Sequence, residues 1–131
     1  MAPVLLDTTV LIDLLRGREG AISRLRQLHD RGDTPYVCAI NVEEVAHGLR
    51  PNEEAAAGQL MSALGASPLS RAEGWVAGEW RRQHASRGTT LSQADCLIAA
   101  SAAAIGARVA TGNSPDFPFP DLDIEHWPVG E

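Results

Sequence analysis

Short apolar runs alternate with longer stretches of helical periodicity along this chain, and that alternation constrains the fold more than any other feature. Pro3-Val4-Leu5-Leu6 has the length of a buried strand, and Asp7-Thr8-Thr9 opens a helix directly after it. That helix carries Val10, Leu11, Leu14 and Leu15 on one side and stops at Arg16-Gly17. The pattern predicts a second helix over Arg18 to Arg31, with Ile22, Leu25 and Leu28 inward, then a turn at Gly32-Asp33-Thr34-Pro35. Tyr36 to Ile40 reads as the second strand, after which Asn41 caps a helix carrying Val42, Val45 and Leu49. An Ala-rich helix from Asn52 to Leu64 ends at Gly65, and Ala66 to Leu69 is a weak third strand. Ser70 caps a helix from Arg71 to Arg87 that gathers Trp75, Val76 and Trp80 on one face, and Gly88 stops it. Ser92 to Ile105 is a buried helix whose small residues let it lie close to a sheet; Ala107 to Ala110 and Asp123 to His126 are the last strands. The expected architecture is a three-layer α/β/α sandwich around a central, mainly parallel sheet, forming one domain over residues 1–131.

A chain of 131 residues with 44% hydrophobic residues is long and apolar enough to bury a core, which argues against disorder. No apolar stretch is long enough to span a bilayer, and the start lacks the charge and apolar pattern of a secretory signal. Cys38 and Cys96 are too few for a disulfide scaffold and lack zinc-type spacing, so reduced thiols in a cytoplasmic protein are expected. The net charge of -6 argues against a protein that coats nucleic acid non-specifically, though not against an acidic active centre with a basic rim. All 11 basic residues are Arg, which suits phosphate but equally reflects genome composition.

Four acids stand at the junctions of this pattern: Asp7, Glu44, Asp95 and Asp116. Each has an ordinary structural explanation. Asp7 suits an N-cap, Asn41-Val42-Glu43-Glu44 has the spacing of a capping box, Ser92-Gln93-Ala94-Asp95 repeats it, and Asp116 sits in a turn. Their conjunction weighs more, because groups just beyond the carboxyl ends of parallel strands converge on one crevice. Asp7 and Asp116 follow strands, Glu44 begins the helix after strand two, and the packed helix from Ser92 delivers Asp95. Carboxylates gathered this way hold a hard divalent cation, Mg²⁺ or Mn²⁺ and not Zn²⁺, and nearby helix N-termini are expected to keep them ionised. His29, His47, His84 and His126 are scattered without ligand spacing.

These segments, in this order, resemble the PIN-domain ribonucleases, and most closely the VapC-type toxins of bacterial toxin–antitoxin pairs. Leu5-Leu6-Asp7-Thr8-Thr9-Val10-Leu11-Ile12-Asp13 resembles their opening motif. Ala39 to Leu49 is similar to the segment carrying the second acid, and alignment on Gly48-Leu49 puts Glu44, not Glu43, at the acidic position. Asp95 to Ala102 resembles the third motif and Thr111 to Phe117 the fourth. The chain departs from the family pattern at Asn41, where Thr or Ser is usual, at Thr9, where Asn or Ser is common, and at Ser114-Pro115 before Asp116.

The resemblance implies metal-dependent endonucleolytic cleavage of RNA. It makes Asp7 and Asp95 the principal Mg²⁺ ligands, with Glu44 and Asp116 completing the acidic cluster, in part through intervening water. Thr9 and Thr111 would support the carboxylates, and Asn113 would share or replace the role of Asp116. Arg16, Arg18, Arg81, Arg82 and Arg87 are candidate RNA-backbone contacts. The resemblance also implies a homodimer and a small cognate antitoxin, through which alone DNA would be met. Two rivals differ in class. An Asp-based phosphotransfer domain would use Asp7 as nucleophile, but it needs an Asp where Thr9 stands, and a Lys. A non-catalytic interaction module of the same fold would not need all four acids.

Overall fold

The computed structural model describes residues 2–131. The elements run β1 (Pro3–Leu6), α1 (Thr8–Leu15), α2 (Glu19–Asp30), β2 (Thr34–Val37), α3 (Ala39–His47), α4 (Glu54–Ser62) and β3 (Gly65–Ala66). They continue with α5 (Arg71–Ser86), α6 (Gln93–Ala104), β4 (Arg108–Thr111), a 3-10 turn (Ser114–Asp116) and β5 (Ile124–His126). The strands form one sheet in the order β3-β2-β1-β4-β5, and every neighbouring pair is parallel.

Successive side chains of a strand point to opposite faces, and the two cores follow that rule. Val4 and Leu6 of β1, with Ala110 of β4, pack with Val10, Leu11, Leu28, Val45 and Trp127 on one side. Leu5 and Val109 face the other way, against Ile98, Ala99, Ala102, Phe117 and Phe119. Helices therefore cover both faces, and the sheet is the middle of three layers. The alanine-rich α6 buries Cys96, Ile98, Ala99, Ala100, Ser101 and Ala102, small enough for close approach to the strands. No described helix is long and apolar enough to cross a membrane.

Local chemistry moves several boundaries from those the sequence predicts. The second strand ends at Val37, not Ile40, because α3 starts two residues before Asn41. Asn41 stands in the first turn, and its Oδ1 accepts from the Cys38 amide at 3.1 Å and the Cys38 thiol at 3.2 Å. Cys38 is thus the N-cap and Asn41 the residue that reaches back to it, so the box lies three residues before the predicted one from Asn41 to Glu44. Thr34 and Pro35 belong to β2 and not to a turn. Pro35 is tolerated there because β3 pairs only with Tyr36 and Val37. The third strand is Gly65–Ala66, since Pro68 has no amide to continue a ladder. At Gly65 a Cβ would come within 2.6 Å of the Tyr36 ring, so glycine lets the ring lie over the β2–β3 pair without shifting.

On α5 the predicted aromatic face is corrected. Trp75 is 72% exposed, whereas Trp80 stacks on Phe119 with ring centroids 4.7 Å apart. Five residues separate the tryptophans, which at 3.6 residues per turn puts them on different sides; the inward stripe is Glu73, Ala77 and Trp80. Val42 likewise points outward from α3, at 39% exposed.

Candidate active site

The connection from β1 to β2 runs toward one edge of the sheet, and β4 returns on the other side of β1. The crevice at such a reversal, beyond the carboxyl ends of the strands, is where open α/β sheets place their ligands. The last registered pair of β1 and β4 is Leu6 with Ala110, so Asp7 and Thr111 come next, side by side. The Asp7 amide donates to the Ala110 carbonyl at 2.9 Å and the Thr111 hydroxyl donates to Asp7 Oδ2 at 2.8 Å. Asp7 occupies the N-cap position of α1 but makes no side-chain cap bond, so the ordinary capping explanation fails for it. It is only 6% exposed.

The other acids are held by separate devices. Glu44 lies on α3, half-buried, and accepts from the Thr8 hydroxyl at 2.6 Å. Thr8 Oγ1 in turn accepts from Asn41 Nδ2 at 3.3 Å, so a fully buried amide orients the hydroxyl that orients Glu44. Ser92 caps α6, its Oγ accepting from the Asp95 amide at 3.0 Å, and Asp95 is thereby placed in the first turn. Asp116 is exposed at the end of the 3-10 turn and accepts from Asn113 Nδ2.

The electrostatics join these four. Burial pushes the Asp7 carboxyl above its usual range against the lowering effect of the Thr111 hydroxyl and the Thr8 amide, and the charges of Asp95 and Glu44 push it the same way. Burial also raises Asp95, opposed by Ser92 and reinforced by Asp116 and Glu44. Burial and mutual repulsion therefore oppose the ionisation of Asp7 and Asp95 that the nearby helix N-termini favour. Such a cluster of hard oxygen donors, strained by its own charge, fits a divalent cation. Among the described residues no three His, Cys, Asp or Glu side chains converge closely enough to hold an ion by themselves. Mg²⁺ commonly binds through one or two carboxylates and keeps water at its remaining positions, so the donor set present suits it.

The remaining expected residues divide. Thr111 is fully buried and serves two partners, donating to Asp7 and accepting from the Asn113 amide at 3.0 Å. Thr9 turns away from Asp7: its Oγ1 accepts from the Gly112 amide at 3.0 Å, so it holds the exit of β4 and not a carboxylate. Asn113 is a donor to Asp116. Arg16 is engaged with Glu53 at 3.6 Å, and Arg18 is exposed at the start of α2. Arg81, Arg82 and Arg87 are exposed on and just after α5; burial raises the Cys96 thiol, beside Asp95, and Arg81 is near enough for its charge to oppose that rise in part. Sequence reasoning missed Thr8 and gave Asn41 the wrong task. The partners of Thr8 are 36 and 33 positions away, so nothing local signals its role.

Comparison with known proteins agrees with this geometry. The PIN domain family profile matches residues 4–118. The chain is 32% identical over 119 residues to Ribonuclease VapC19 of Mycobacterium tuberculosis, covering 90% of this chain and 95% of that protein. Among solved structures, DNA-bound VapBC from Salmonella typhimurium superposes with a TM-score of 0.83 at 25% identity, covering 97% of this chain and 99% of that one. VapBC2 from Rickettsia felis, bound to a DNA fragment from its promoter, superposes with a TM-score of 0.82 at 23% identity, covering 95% of this chain and 98% of that one. The profile covers most of the chain and the relative nearly all of it: this protein belongs to the PIN domain family, among its VapC-type ribonucleases.

Proposed function

We propose that this chain is a Mg²⁺-dependent endoribonuclease that acts as the toxin of a toxin–antitoxin pair. The observation that carries the reading is Asp7, a buried carboxylate held by Thr111 at the reversal of strand order, with Glu44 and Asp95 close enough to repel it. Asp7 and Asp95 would hold the ion, with Mn²⁺ able to substitute, while Glu44 and Asp116 complete the cluster. A divalent ion there would supply the charge that polarises a scissile phosphate and eases deprotonation of the attacking water. Thr111 keeps the Asp7 carboxylate in one orientation, and the Asn41–Thr8 pair does the same for Glu44. Ligand groups fixed this way need little rearrangement on binding. Asn113 presents Asp116 at the rim. Arg81, Arg82 and Arg87 are free to meet RNA phosphates, whereas Arg16 would first have to leave Glu53.

A small cognate antitoxin is the proposed partner, on the strength of the VapBC complexes this fold matches, and DNA would be reached only through it. The exposed Trp75, with Val76 beside it, offers an apolar surface for that antitoxin or for a second copy in a homodimer. The test is cleavage of a generic single-stranded RNA by the purified chain, with Mg²⁺ and with EDTA. Wild type is expected to cut only with Mg²⁺. Asp7→Asn and Asp95→Asn should each lose more than about a hundredfold, beyond the loss caused by removing an outer partner. Metal-independent cleavage, or full activity in Asp7→Asn, would end the proposal. Growth arrest on expression, relieved by the antitoxin, tests the biological role.

A further inference from the structure

We infer that the segment after β5, Trp127 to Glu131, is a strap that sets the position of the loop carrying Asn113 and Asp116, with Asp13 as its anchor and Val129 as its wedge. The inference rests on the reading of this end of the sheet as a nuclease centre, and it makes Asp13 and Val129 positioning residues.

Asp13 is a second buried acid on α1, 7% exposed, and no ion pair among the described residues includes it. A buried carboxylate without a cation depends on its hydrogen bonds. The side-chain bond it makes is to the strap: the Gly130 amide donates to Asp13 Oδ2 at 2.8 Å. At its other end the strap is fixed by the Trp127 amide, which donates to the Thr111 carbonyl at 2.8 Å, and by the buried Trp127 ring. Between these two anchors Val129 is pressed against Gly112. A Cβ on Gly112 would collide with Val129 Cγ2 and lie 3.1 Å from the Trp127 carbonyl oxygen and 3.3 Å from Thr9 Oγ1. Val129 is otherwise 58% exposed, so burial in a core does not explain its place.

Gly112 is the first residue of the loop that matters. Its amide is held by Thr9, the next amide by Thr111, and the next side chain by Asp116. Val129 Cγ2, the Trp127 carbonyl and the Thr9 hydroxyl all crowd the space where a side chain on Gly112 would stand, and the loop that carries Asn113 and Asp116 starts from that packed position. Residues 13 and 130 thus act on the acidic cluster without touching it. A displacement of about 1 Å at such a loop is enough to lower turnover by one to two orders of magnitude.

The experiment uses the full chain and three readouts: hydrogen exchange of the Gly112 amide, Mn²⁺ affinity by calorimetry, and kcat and KM on a generic RNA with Mg²⁺. Asp13→Ala should speed Gly112 exchange by about tenfold, as expected for a local opening made easier. Its kcat should fall by roughly tenfold with KM within about twofold, and its Mn²⁺ affinity should drop. Asp13→Asn retains an acceptor for Gly130 and should behave as wild type. Gly112→Ala should lose activity, and Val129→Gly added to it should restore about fivefold, because the two side chains compete for one space. If Asp13→Ala fails to fold, Val129→Gly alone, at an exposed position, carries the same exchange and Mn²⁺ readouts. Unchanged exchange and kcat in Asp13→Ala, or no rescue in the double variant, overturns the strap while leaving the nuclease reading standing. An inactive wild type overturns the nuclease reading instead, and Gly112 exchange then still decides whether the strap holds the loop.

Discussion

Asp7 shows how one carboxylate answers to burial, hydrogen bonding and like charge at once. Its raised pKa means the folded chain binds that proton more tightly than the unfolded chain does. The stability that this one carboxyl contributes in the metal-free protein is therefore fully present below the usual value of 3.8 and is lost as pH rises through the higher folded value. Asp7→Asn keeps an acceptor for the Thr111 hydroxyl and removes the charge. In EDTA at pH 7 it should melt higher than wild type, by roughly 3 °C for each kcal/mol of relieved repulsion and desolvation. The gain should vanish below about pH 4, and Mg²⁺ should raise the midpoint of wild type far more than that of the variant. Thermal melts across pH, with and without Mg²⁺, check this; a lower midpoint for Asp7→Asn in EDTA would show that the charge is compensated by the protein itself.

At the scale of elements, α3 depends on a bond that its own sequence disguises. Asn41 satisfies the Cys38 amide and thiol at the helix start and holds Thr8 through its other atom. Asn41→Ala should cost about 1–2 kcal/mol, the usual loss of a cap. It should also loosen Glu44 and so lower kcat, whereas a surface cap lost elsewhere, Ser70→Ala on α5, should change stability alone. Denaturant melts and RNA cleavage on the two variants separate the cases. The same elements show what was legible beforehand. The strands, the order of helices and the Ser70 and Ser92 caps were readable because periodicity and capping are local. The start of α3 was not, because Asn serves as well at the third position of a helix as at its cap. The face of Trp75 was misread because a cluster of large apolar residues outweighed the helical spacing that separates them.

Across the whole molecule, the two ends of the sheet have opposite electrostatic character. The carboxyl ends gather unpaired acids, while at the amino ends Arg108 donates to Asp33 at 3.0 Å and Glu125 at 2.6 Å. The Arg108 hydrogen bond holds the Asp33 carboxyl below its usual 3.8, and Glu125, though raised by burial, is brought below 4.5 by Arg108. Lowered folded values mean that this stabilisation is present above the usual carboxylate range and is lost as pH falls through the folded values. Acid unfolding of wild type should therefore steepen below about pH 4, and Arg108→Gln should flatten that limb while lowering stability at pH 7. Circular dichroism melts between acid and neutral pH test it; parallel acid limbs in the two proteins would show that the ion pairs contribute nothing.

The amino-acid sequence by itself determined the parallel α/β architecture and singled out four candidate acids, because strand and helix periods and residue chemistry are carried by neighbouring positions. Tertiary structure alone decided what holds two of them, Thr111 on Asp7 across 104 positions and Thr8 on Glu44 across 36, and what holds the further acid Asp13, Gly130 across 117. A hydroxyl or an amide offers the same donors and acceptors everywhere along a chain. Which group each one meets is set only when the strands come into register and bring distant residues to a common edge.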